Sequence, residues 1–106
     1  MAAGMVALAD GTDLAGSLRN PANFCNLVGM RPSVGRVPTW PEQLGWYTMS
    51  VAGPMARSVE DLALMMSVLS GPDDRSPIAL DTPGTIFTSP LPVSYTHLTL
   101  PTNREV

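Results

Sequence analysis

Apolar residues in this chain come in short runs, each closed by glycine, proline or a polar side chain. Only residues 58–69 carry a sustained helical period. Val59, Leu62, Ala63, Met66 and Leu69 recur at three- and four-residue spacing, which places them on one face of an α-helix. Met65 and Val68 widen that stripe, so the helix is expected to be covered on more than one side. Ser58 precedes the first periodic residue and Asp61 follows three positions later, close to a capping-box arrangement. Gly71-Pro72 closes the segment, as glycine and proline do past a helix end.

The other runs are shorter. Residues 1–9 are small and apolar, and read as a helix tail running into a buried strand over 5–9. Residues 10–16 read as a turn. Residues 17–26 read as a short helix, provided Pro21 falls within its first turn. Residues 26–30 form an apolar run that ends at Arg31-Pro32, the pattern of a short buried strand. Gly35, Pro38, Pro41 and Gly45 make 33–53 loop-like, and Trp40, Trp46 and Tyr47 are expected to anchor that loop on the core. Asp73, Asp74 and Arg75 read as a solvated turn.

Composition narrows the class. A length of 106 residues suits one domain or a piece of one, and 44% hydrophobic residues is ordinary for a folded chain. The net charge is −3, and the six cations are scattered arginines with no lysine among them. That balance argues against a nucleic-acid-binding surface. No apolar stretch approaches the roughly 18 residues of a membrane helix, and no signal-peptide pattern opens the chain. Cys25 is the single cysteine, which excludes an intrachain disulfide and a cysteine-based metal site. A reducing, cytoplasmic compartment is the natural reading, with no cofactor or metal called for. Lying among Phe24, Leu27 and Val28, Cys25 is expected to be a buried, inert thiol.

The candidate chemistry sits in residues 11–19, Gly-Thr-Asp-Leu-Ala-Gly-Ser-Leu-Arg. Small residues before Ser17 let main-chain N–H groups crowd a reacting atom. Ser17 is therefore a candidate nucleophile, with the preceding amides as a candidate oxyanion hole. Serine is also a preferred helix N-cap, and the residues alone leave both roles open. A phosphate-binding loop is a weaker alternative, since neither Gly-Lys-Ser/Thr nor Gly-x-Gly-x-x-Gly is present.

Three blocks in order resemble the amidase signature family of serine hydrolases. The first, Gly11-Thr12-Asp13-Leu14-Ala15-Gly16-Ser17-Leu18-Arg19-Asn20-Pro21, is similar to the family's G-S-D-x-G-G-S-x-R-x-P run. The second, Gly29 to Val37, is similar to G-x-K-P-T-x-G-R-V, and the third, Gly53 to Asp61, to G-P-M-x-R-T-V-x-D. The resemblance implies an α/β fold with a mixed sheet between helices, of which this chain holds a partial slice with an incomplete core. It implies that Ser17 is the acylating nucleophile, with backbone N–H groups of Leu14, Ala15 and Gly16 as the oxyanion hole. Asp13 and Arg19 would hold the turn. The substrate would be a small-molecule amide; the amidase subunit of a tRNA-dependent amidotransferase is the alternative within the family.

The sequence departs from that pattern in two ways. Ala15 stands where the family has glycine, which is tolerable only if its φ is negative. The family's triad is completed by a lysine and a bridging serine, both upstream of the nucleophile and farther off than the sixteen residues before Ser17. The resemblance thus implies an inactive fragment of a longer amidase. Residues 93–102, Val-Ser-Tyr-Thr-His-Leu-Thr-Leu-Pro-Thr, match the translation of a common transposase sequencing adapter, GTC TCT TAT ACA CAT CTG ACG CTG CCG ACG. The expected division is residues 1–92 as the amidase segment and 93–106 as a non-native tail, so His97 is not recruited as a base.

Overall fold

A computed structural model of the chain describes residues 1–90; the expected boundary at residue 93 lies outside them. A three-stranded antiparallel sheet is packed with helices, an α/β arrangement. Strand β1 (Ala9–Asp13) pairs along its whole length with β3 (Val51–Ala56), from Ala9 opposite Met55 to Asp13 opposite Val51. Strand β2 (Val28–Gly29) pairs with the other side of β3, so the order is β1-β3-β2. Helix α1 (Arg19–Phe24) links β1 to β2, and helix α2 (Val59–Leu69) follows β3. A 3-10 turn at Gly84–Thr88 packs back on α2.

The centre of the sheet is β3, Val-Ala-Gly-Pro-Met-Ala, with four of its six residues buried. Pro54 brings no N–H to this central strand. Its carbonyl still accepts the Met30 amide at 3.1 Å, which carries the ladder past Gly29. Gly53 is required by close approach. A Cβ there would stand 2.7 Å from Pro32 Cδ and 2.9 Å from Leu18 Cδ1, and against the Met30 carbonyl. Chain from before and after β2 thus closes over the strand at the point where no side chain fits.

Ala56, Leu62 and Met66 form the core, with Leu8, Val28, Met30, Val37 and Phe87 partly buried around them. Ser58 caps α2 as expected, its Oγ accepting the Asp61 amide at 3.1 Å. The breadth of the buried stripe is corrected. Val59 is 40% exposed and Val68 79% exposed, because only β3, β2 and the 3-10 turn supply cover.

Other expectations shift for the same reason: a partner, more than local apolarity, decides an element. The strand expected over 5–9 forms four residues later, where β3 offers partners; Met5 and Val6 are exposed. The loop expected over 33–53 ends at Val51, where β3 begins. Trp40, Trp46 and Tyr47 do not anchor it on the core; all three are exposed. Cys25 is exposed as well, and so is Phe24. Helix α1 is only six residues long and buries Ala22 alone. Asn26 then takes φ 53° and swings the chain into β2, leaving Phe24 and Cys25 outside.

Candidate active site

The turn between β1 and α1 is built on one buried carboxylate. Asp13 ends β1 with no exposure to solvent. Its Oδ1 accepts the Gly16 amide at 2.7 Å, and its Oδ2 accepts the amides of Leu18 at 3.3 Å and Arg19 at 3.4 Å. Arg19 closes over the same group, with Nε 2.9 Å from Oδ2 and Nη2 3.2 Å from Oδ1. Arg31 approaches from the far end of β2, with Nη1 3.3 Å from Oδ1 and also bonded to the Asp13 carbonyl. The Arg19 guanidinium holds the carboxyl far below the ordinary aspartate range; burial opposes this, and the three amides add to it. Asp13 is therefore a fixed anion whose bonding capacity is taken up by the turn itself.

The conformation of the turn follows from that anchor. Exposure alternates: Leu14 and Ala15 outside, Gly16 buried, Ser17 outside, Leu18 buried. Ser17 is thus raised to the surface between two buried neighbours. Gly16 has φ 121°, a backbone geometry nearly confined to glycine. Ala15 does not share that geometry, since Asn26 is the only non-glycine residue with positive φ among the described residues. Alanine at position 15 is accommodated without strain. Leu18, not Ser17, is the N-cap of α1, and no side chain caps the helix. The Ser17 hydroxyl makes no hydrogen bond among the described residues.

Of the three amides expected to form the oxyanion hole, that of Gly16 is committed to Asp13. The amides of Leu14 and Ala15 have no partner among the described residues. Arg31 was not singled out from the sequence, although it occupies the cation position of the second block. A hollow of about 410 Å³ beside Gln43, Leu44, Gly45, Trp46 and Tyr47 shares no lining residue with the turn. Among the described residues, no three His, Cys, Asp or Glu side chains gather as metal ligands, and no helix is long and apolar enough to cross a membrane.

Comparison with known proteins bears on the same segment. The family model described as Amidase matches residues 1–99. A glutamyl-tRNA(Gln) amidotransferase subunit from Methylococcus capsulatus is 42% identical over 83 residues, which are 78% of this chain and 17% of that protein. An acylamidase of Rhodococcus erythropolis is 38% identical over 81 residues, 76% of this chain and 17% of that one. Among solved structures, a bacterial aryl acylamidase of the amidase signature family is 42% identical with a TM-score of 0.68, covering 77% of this chain and 17% of its own. The chain therefore spans about one sixth of the length of each of these relatives.

Proposed function

Because this chain belongs to the amidase signature family, we propose that it is the segment of a carboxylic-amide hydrolase that carries the acylating serine, Ser17. The observation that carries this reading is the exposed, unbonded Ser17 hydroxyl on a turn lashed to buried Asp13. Such a turn is preorganised. Its donors need no rearrangement as charge develops on a substrate oxygen.

The chemistry follows. Ser17 Oγ gives its proton to a base and attacks the amide carbonyl carbon, and the carbonyl oxygen becomes an oxyanion. The free amides of Leu14 and Ala15 are the donors for it, each worth about 3 kcal/mol. The Gly16 amide, held by Asp13, shapes the turn. Collapse of the intermediate breaks the C–N bond, the amine leaves with a proton, and water hydrolyses the acyl ester on Ser17. The family's base is a lysine acting through a bridging serine. Since residues 1–106 hold no lysine, this chain alone is expected to be inactive.

A chimera tests the reading. Residues 9–70 replace the matching segment of the bacterial aryl acylamidase, and aryl-amide hydrolysis is assayed. Hydrolysis that disappears in Ser17→Ala supports the proposal; hydrolysis that survives Ser17→Ala overturns it. A second reading, the amidase subunit of a tRNA-dependent amidotransferase, rests on the 42% identity to a protein of that kind. The Trp-Pro-Glu-Gln-Leu-Gly-Trp-Tyr run at 40–47 resembles free-standing amidases more. Release of ammonia from glutamine by the chimera, with no aryl-amide hydrolysis, would favour the second.

A further inference from the structure

We propose that Arg31 is a positioning residue for the Ser17 turn, a role that rests on the reading of Ser17 as nucleophile. Its guanidinium bridges two chain segments, each 18 residues away in sequence. Nη1 bonds the Asp13 carbonyl and stands 3.3 Å from the Asp13 carboxylate. Nη2 donates to the Met49 carbonyl at 2.9 Å. Asp13 and Val51 are opposed in the β1–β3 ladder, so Met49 lies two residues before β3 reaches that point. Arg31 therefore closes the open end of the sheet, where the pairing stops and the turn begins.

Two features make this more than a surface contact. First, the Asp13 main-chain carbonyl belongs to the same planar peptide unit as the Leu14 N–H, one of the two free donors. The guanidinium holds the oxygen of that peptide, and so sets the direction of the amide on its other side. Arg19 grips only the carboxylate and the helix start, so it does not substitute for this bond. Second, the guanidinium is a fork. Nη1 and Nη2 point at acceptors on different segments, and a lysine ammonium presents a single nitrogen. Lysine, the family's residue in this block, keeps the charge and three N–H donors but gathers them on one nitrogen, without the fixed separation of Nη1 and Nη2.

The test has two arms. In the 106-residue chain, amide hydrogen exchange is followed for Gly16, Leu18 and Arg19, whose N–H groups meet Asp13, and for Leu62 to Leu69 of α2 as reference. Arg31→Ala is expected to speed exchange in the first group about tenfold and leave α2 unchanged. Equal acceleration in both groups, or none in the first, overturns the proposal. In the chimera, Arg31→Ala is expected to lower kcat by about 10- to 100-fold with KM little changed. Arg31→Lys should recover part of the loss; in the 106-residue chain, Arg75→Ala, on a surface ion pair, should leave exchange of the Gly16, Leu18 and Arg19 amides unchanged. An unchanged kcat in Arg31→Ala, while Ser17→Ala is inactive, overturns the role of Arg31 alone. Activity surviving Ser17→Ala removes the nucleophile reading instead. If Arg31→Ala fails to fold, Arg31→Lys decides in both arms: wild-type kcat and exchange overturn the proposal, and an intermediate loss supports it.

Discussion

Gly16 and Asn20 meet with no room for a methyl group between them. A Cβ on residue 16 would stand 2.7 Å from Asn20 Nδ2, while the Asn20 amide donates to the Gly16 carbonyl at 2.8 Å. The contact joins the residue before Ser17 to the first turn of α1. The exposed Asn20 side chain can turn away at small cost, so φ 121° is the stronger reason for glycine at this point.

Gly16→Ala is accordingly expected to destabilise the chain by about 1–3 kcal/mol through backbone strain. Gly16→Ala with Asn20→Ala should recover the clash component and leave the φ component. Chemical denaturation of the two variants separates them. Recovery to wild-type stability in the double variant would show that the left-handed geometry is not required.

Asp13 fixes a pH dependence. Its carboxyl lies below the ordinary aspartate value of 3.8 in the folded chain, chiefly through Arg19. A carboxyl whose folded pKa is depressed contributes its full stabilisation above the unfolded pKa and loses it as pH falls toward the folded one. The wild-type chain is therefore expected to lose stability below about pH 4. Asp13→Asn should be less stable at neutral pH, because the arginines lose their anion, and its profile should be flatter on acidification. Asp73, lowered to about 2 by Arg75, contributes equally to both proteins and cancels from the comparison. Denaturation midpoints measured across the acid range check the difference in slope.

The two faces of α2 make a paired prediction. Met66 is wholly buried against Ala56 and Leu62, and Met66→Ala should cost about 2–5 kcal/mol. Val68 is 79% exposed, and Val68→Ala should change stability by less than about 0.5 kcal/mol. Ser58→Ala, which removes the cap on the Asp61 amide, should fall between them at about 1 kcal/mol. A large effect at Val68 would mean that this face is covered.

Trp40 and Trp46 are 57% and 75% exposed, and they are the only tryptophans. Both should be quenched by acrylamide in the native chain nearly as readily as after unfolding. A protected tryptophan in the native state would place the 40–47 run on the core after all.

What can be read along the chain alone is local. Helix α2, its Ser58 cap and its Gly71-Pro72 stop follow from spacing and from the bonding needs of helix ends. The small-residue turn before Ser17 was legible because glycine at the position of φ 121° is a steric necessity. The three blocks identified the family, since each is a fixed order of residues. Tertiary structure decided everything that needed a partner. Strand β1 lies at 9–13 because β3 pairs there, and no count of apolar residues contains that register. The commitment of the Gly16 amide to Asp13, and the reach of Arg31 to both Asp13 and Met49, join atoms brought together by the sheet. Exposure of Trp46 and Cys25 is likewise a matter of what lies over them, because a side chain is buried by its neighbours in space and only its appetite for burial is written in its own residue type.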